Sequence, residues 1–222
     1  MELFMITYED VKNNADIRAL IEASGQALGV MGITDHGFAH AELSAVNAGR
    51  LLETLDYDPH TCELAKIAGF MHDIGNAVNR TFHAMSGGLL AFDILRSMGA
   101  TTKDAISIMT AIGNHDEGTA ATVTPLCAAL ILADKSDVRR SRVRAHEPYL
   151  DIHDRVNYAA VDSSLSVNKE KGIISLQLKI DTTICAVMDY FEIFLTRMTL
   201  CRDAAEFLGL KFELVINETR ML

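Results

Sequence analysis

The chain has 222 residues, of which 49% are hydrophobic and 23% charged, enough to bury one generous core without disulfide staples. Its 30 acidic and 20 basic side chains leave a formal net charge of -10, which disfavours loose binding to nucleic acid or anionic lipid, because counterion release needs clustered cations. No apolar run approaches the roughly 20 residues of a membrane-spanning helix. The start, Met1 to Ile6, shows neither a basic segment nor a small-residue cleavage site, so a cytoplasmic protein is expected.

Thr7-x-x-Asp10 reads as a capping box that opens a helix to about Leu28, with Ile17, Leu20, Ile21 and Leu28 on one face. Gly29, Gly32 and Gly37 interrupt the pattern around Thr34 to His40, a loop into a second helix from about Phe38 to Asp56. That helix carries His40 on the face of Leu43, Asn47 and Leu51. Asp58-Pro59 starts a third helix, whose buried face runs through Leu64 and Ala68 to Met71 or His72 before Gly75 stops it.

His83, Gly87, Leu90, Ile94 and Met98 form one stripe of a fourth helix, ended by Gly99. Thr101-x-x-Asp104 opens a fifth, with Ala105, Ile108, Met109 and Ile112 inward and the stripe continuing to His115. Thr124-Pro125 opens a sixth, on which Cys127, Leu130 and Asp134 share a face.

Beyond a polar stretch containing Pro148 the character changes at about Tyr158. Val161, Ser163, Leu165 and Val167 alternate with polar residues, 168–172 supplies a turn, and Ile174, Leu176, Leu178 and Ile180 alternate again. Asp181 is positioned to cap a long helix through Leu208, ended by Gly209 before a last strand around Phe212, Leu214 and Ile216. The expected fold is mainly α, a helical bundle over 1–157 with a small C-terminal α+β (ββαβ) unit over 158–222. That unit packs on the bundle or on a second copy, and its strand edges offer a route to a homodimer. Cys62, Cys127, Cys185 and Cys201 show no C-x-x-C spacing and read as buried free thiols.

The chemistry centres on Phe70-Met71-His72-Asp73-Ile74-Gly75. An imidazole beside a carboxylate among apolar side chains is costly to bury without a cation, and both are donors that zinc, iron and manganese accept. His40, His72, Asp73, His83, His115 and Asp134 all fall at or beside helix ends with apolar neighbours on the same face. One inward histidine alone is more often a satisfied core residue; six residues in one pattern point to divalent metal ions.

Directly after Asp134, Lys135, Arg139, Arg140, Arg142 and Arg144 place five cations within ten residues of an otherwise acidic chain. They read equally as phosphate contacts or as a solvated helix end that complements the helix dipole. His36, four residues before His40 and next to Asp35, is expected at the mouth of the site as proton donor or substrate contact. His60, His146 and His153 are expected at the surface.

A histidine, then His72-Asp73 followed by Ile74-Gly75, then further histidines, then an aspartate within Leu132-Ala133-Asp134-Lys135, resembles the HD-domain superfamily of metal-dependent phosphohydrolases over roughly Asp35 to Val143. The resemblance implies an HD-type helical bundle in which His40, His72, Asp73 and Asp134 hold one ion. It also implies a second ion on His83 and His115, with Asp73 bridging and serving in catalysis. Manganese or iron is favoured by the mixed nitrogen and oxygen donors, with magnesium, cobalt, nickel or zinc admissible. The implied activity is hydrolysis of a small phosphorylated substrate, foremost a nucleotide, held by His36, Lys135, Arg139 and Arg140.

Two departures qualify the resemblance. Asn76 stands where many relatives carry lysine, so that lysine's role is not transferred. The Gly-Tyr-Pro signature of the cyclic-dinucleotide-cleaving subgroup is replaced by Thr119-Ala120 after Gly118, so that activity is not implied. Two further readings remain open at this point: a di-iron oxygenase with a similar ligand set, and a non-catalytic nucleotide sensor.

Overall fold

The computed structural model describes residues 6–144 and 152–221. His146, Pro148 and the first five residues lie outside the described residues. The capping box forms as expected, Thr7 accepting from the Asp10 amide and Asp10 from the Thr7 amide, and it opens α1 (Tyr8–Lys12). The single helix expected to run to Leu28 is instead two. The Asn14 carboxamide accepts from the amides of Asp16 and Ile17, a fresh N-cap that starts α2 (Ala15–Val30).

Next come α3 (Phe38–Thr54) and α4 (Pro59–Met71), the latter capped by Asp58 with Pro59 in its first turn. A 3₁₀ turn at Ile74–Ala77 leads to α5 (His83–Ser97), α6 (Thr102–Gly113) capped by Thr101, and α7 (Pro125–Lys135) capped by Thr124. Every residue of α7 from Leu126 to Lys135 is buried, and the helix packs against α3, α4 and α6. A helix this apolar on all sides has to sit at the centre of the bundle.

Close backbone approach draws the other helices in. A Cβ on Gly69 of α4 would lie 2.7 Å from the Ala45 Cα of α3. For this reason α3 buries the small residues Ala41, Ser44, Ala45 and Ala48 along with His40, while Leu43 and Asn47, expected on that face, are half-buried. Gly75 makes the equivalent contact with α5, where its Cβ would meet the Gly87 amide at 2.5 Å.

The C-terminal part begins with α8 (Ile152–Ala159), which carries no clear signal in the sequence. It continues through β1 (Ala160–Asn168), β2 (Ile173–Ile180), α9 (Val187–Phe207), β3 (Lys211–Ile216) and a short β4 (Thr219–Arg220). The sheet order is β1-β2-β3-β4. β1/β2 and β3/β4 are antiparallel, and β2/β3 is parallel across the α9 crossover. β4 adds to the expected ββαβ order, through a two-residue turn with Asn217 and Glu218 both left-handed.

Two local expectations change. A register irregularity between Ala160 and Asp162 turns Val161 outward, so the alternation in β1 begins late. The Asp181 carboxylate accepts from Thr183 in a turn instead of capping α9, which starts after Ala186.

The chain is mainly helical with a small mixed sheet near its C-terminal end, and one apolar core runs through both. α9 lies against α7, while β1 faces α3: Arg50 donates to the Leu165 carbonyl at 3.2 Å, Ser163 to the Ser136 carbonyl, and Lys169 pairs with Asp56. All four cysteines are free and buried, and no described helix is long and apolar enough to cross a membrane.

The glycine contacts can be checked by substitution. Gly75→Ala and Gly69→Ala each force backbone apart at a cost of about 1–3 kcal/mol, which should lower the melting midpoint by roughly 3–10 °C. Gly113→Ala, which meets nothing within 4 Å, should leave it unchanged or raise it. Thermal melts followed by circular dichroism compare the three.

Candidate metal centre

Each candidate ligand is placed by the end of a helix. His40 lies in the first turn of α3, His72 caps α4, and Asp73 follows it into the 3₁₀ turn. His83 opens α5, His115 follows α6, and Asp134 lies in the last turn of α7. All six are buried.

The four rings are held alike. Nδ1 of His72, His83 and His115 donates to the carbonyl three residues back, Gly69 at 2.8 Å, Arg80 at 2.9 Å and Ile112 at 2.6 Å. Nδ1 of His40 donates to Asp137 Oδ2 at 2.9 Å. Each Nε2 is thereby left facing inward, the arrangement by which an outer hydrogen bond fixes the tautomer of a metal-ligating histidine.

The inward nitrogens meet in pairs, His40 with His72 at 3.2 Å and His83 with His115 at 3.2 Å. Asp134 Oδ1 lies 3.2 Å from His40 Nε2 and 3.6 Å from His72 Nε2. Asp73 stands between the pairs, with Oδ2 3.1 Å from His72 Nε2 and Oδ1 3.5 Å from His83 Nε2. Two sets of donor atoms fall within 4.8 Å of one another, His40, His72 and Asp134, and His72, Asp73 and His115, so His72 is common to both.

Burial opposes charge on His72, yet the carboxylates of Asp73 and Asp134 raise its pKa to about 10. Burial pushes His115 well below its usual value, helped by the positive charge on His72, and lowers His83 against the pull of Asp73. Burial is outweighed at Asp73 by His72 and at Asp134 by Lys135 and His72, so both carboxyls sit well below their usual range. A proton on His72 thus occupies the first pair. The second pair brings two neutral rings together lone pair to lone pair, which is unfavourable unless a cation lies between them.

A divalent metal ion fits this arrangement. Two imidazole nitrogens on one zinc-like ion stand roughly 3.4 Å apart, close to the separation seen in both pairs. Asp73 Oδ2 is buried with no conventional donor beyond the imidazole of His72 at 3.1 Å, a position that a cation would satisfy. Asn76 donates to Asp73 Oδ1 at 2.9 Å and so orients the central carboxylate.

Next to the cluster opens a small recess of about 60 Å³ with polar walls throughout. Lys135 lines it, as does His36. The His36 Nδ1 donates to the Thr34 carbonyl at 2.6 Å, and burial pushes the pKa of the ring well down. The bond to Thr34 ties the ring to its own loop, while its place in the lining keeps it beside the recess.

Arg139 and Arg140 are not among the lining residues. Arg139 forks onto Asp137 at 2.6 and 3.0 Å, while Arg140 stacks on the Tyr158 ring and pairs with Asp181. Arg144 pairs with Asp35. From this basic run, Arg142 joins Lys135 in the wall, its Nε donating to the Asp35 carbonyl at 2.8 Å.

Several wall residues had no role in the sequence reading: Arg80, Asp116, Glu117, Asn157 and Arg197. Asp137 was also missed, although its place three residues after Asp134 was a usable signal. His60 has a partner, Asp104 Oδ1 at 2.9 Å, and His153 is exposed.

No protein-family model matches the chain. An uncharacterised protein of Methanocaldococcus jannaschii is 26% identical over 170 residues, which make up 66% of this chain and 65% of the relative. The chain therefore matches just under two thirds of that relative's length.

Loss of an outer hydrogen bond typically weakens metal affinity about 10–100-fold. Asp137→Ala is expected to do so at the His40 side of the cluster, read by titrating manganese into metal-depleted protein. Chelation of the wild type should lower its melting midpoint, and added manganese should restore it, since a ligand of the folded state contributes about 2.7 kcal/mol at 100 times its Kd.

Proposed function

We propose that this chain is an HD-type metal-dependent phosphohydrolase that hydrolyses a small phosphorylated metabolite, foremost a nucleotide. The observation that carries the reading is the Asp73 carboxylate, set between two opposed imidazole pairs beside a recess whose walls include Lys135, Arg142 and Arg80. The order of the six candidate ligands along the chain and their placement at helix ends support membership of the HD superfamily. Nitrogen and oxygen donors without a thiolate favour manganese or iron. The free buried cysteines suit a cytoplasmic setting.

His40, His72, Asp134 and Asp73 would hold one ion, and Asp73, His83 and His115 a second. When bound, such ions supply Lewis acidity and lower the pKa of coordinated water towards neutrality. Asn76 holds one oxygen of Asp73, leaving the other directed at the cluster. Lys135 and Arg142 would take the non-bridging oxygens of a phosphoryl group, on which negative charge builds during transfer. The polar walls favour this chemistry over a di-iron oxygenase, which would act on an organic substrate in the same space.

The test is metal content and turnover of protein purified without chelator, for the wild type, Asp73→Ala and His115→Ala. About two ions per chain are expected in the wild type, with fewer in both variants. Hydrolysis of bis(p-nitrophenyl) phosphate or of nucleotides should be lost in step. Metal-loaded wild type that releases nothing from any phosphate ester would reject the hydrolase.

A further inference from the structure

The recess has a wall that the proposed hydrolysis does not use. α9 brings Arg197 into it from the C-terminal part of the chain, with its guanidinium 4.3 Å from the Phe194 ring centroid. Arg197 Nε donates to Glu117 Oε1 at 2.8 Å, and Lys135 Nζ approaches the same oxygen at 3.7 Å. Glu117 is thus one carboxylate set between two cations, while the other acid beside Lys135, Asp134 at 2.8 Å, belongs to the metal cluster. Lys135 is buried and Arg197 has only 21% of its side chain exposed, so both charges act where water screens them weakly.

We propose that Arg197, beside the Lys135 that faces the reacting group, forms a subsite for a second phosphoryl group, so that the preferred substrate is a phosphoanhydride or bisphosphate and α9 sets that preference. Glu117 is the internal counter-ion that the incoming group displaces. The proposal rests on the phosphohydrolase reading for its substrate class. A structural alternative exists, in which the Arg197–Glu117 pair merely fastens α9 to the bundle.

The two roles separate by sign. If Glu117 competes with the ligand, Glu117→Gln should strengthen binding of a doubly charged probe while Arg197→Gln weakens it. If the pair only fastens α9, both substitutions should shift binding in the same direction. The probes are methylenediphosphonate, which carries two phosphoryl-like groups and resists hydrolysis, and methylphosphonate, which carries one. Affinities are measured by calorimetry on the manganese-loaded full chain, with melting midpoints alongside.

Arg197→Gln should lose about tenfold in preference for methylenediphosphonate, the scale of one charge-assisted hydrogen bond. Arg197→Lys should keep most of that preference, and Glu117→Gln should increase it. A preference that stays within about twofold of wild type in Arg197→Gln, or shifts of the same sign in both neutralising variants, overturns the subsite. If the wild type hydrolyses no phosphate ester yet its preference depends on Arg197, the subsite stands and the hydrolase falls. If esters are hydrolysed and the preference ignores Arg197, the reverse holds.

Discussion

The centre of this protein depends on an arrangement that opposes itself. Four imidazoles have their Nδ1 atoms committed to donating outward, so their Nε2 atoms converge in two pairs at 3.2 Å around one aspartate. Imidazole nitrogens held like this repel one another unless positive charge is shared between them. Burial adds to the cost, because only the ring nitrogens of His72 and His40, at 3.1 and 3.7 Å, approach Asp73 Oδ2. The stability of the surrounding helices has to hold this geometry in place.

The helices can do so because they approach so closely at their ends. Gly69 lets α3 and α4 cross with backbone nearly in contact, and Gly75 lets the turn after Asp73 sit directly on α5. α7, buried on all sides, brings Asp134 to the same point. The candidate ligands are therefore carried at closely packed helix ends, and the Nδ1 bonds of the histidines run largely to main-chain carbonyls. Side chains supply the outer support at His40, Asp73 and Asp134, through Asp137, Asn76 and Lys135.

Local signals in the sequence carried far. Thr7, Asp58, Thr101 and Thr124 announce their helix starts, because capping is chemistry within one turn, and the alternation in 161–180 announces the hairpin. His40, His72, Asp73, His83, His115 and Asp134 could be picked out because a polar residue on an apolar face breaks a visible pattern. Arg197 and Glu117 could not, since they lie 80 residues apart and meet only through the packing of α9. The basic run after Asp134 was legible in part for a related reason: residue type gave the charge, but contacts with Asp137 and Tyr158 turn Arg139 and Arg140 away from the recess that Lys135 and Arg142 line. The break between α1 and α2 was legible in principle, because Asn14 is a strong cap, but the hydrophobic period runs straight across it.

The attachment of β1 to α3 bears on how copies of the chain can meet. An edge strand with an open row of amides and carbonyls is a template on which another strand can grow, in a dimer or in an aggregate. Here the guanidinium of Arg50 occupies the Leu165 carbonyl near the middle of β1, and Ser163 is tied to the end of α7 through Ser136. An incoming strand would have to displace both before pairing along β1. At the opposite edge β4 is only two residues long and pairs with Val215 and Ile216 alone, so among the described residues the start of β3 has no strand on its outer side. β1 is therefore the guarded edge of the sheet, and strand-to-strand pairing between copies would have to begin on the open stretch of β3.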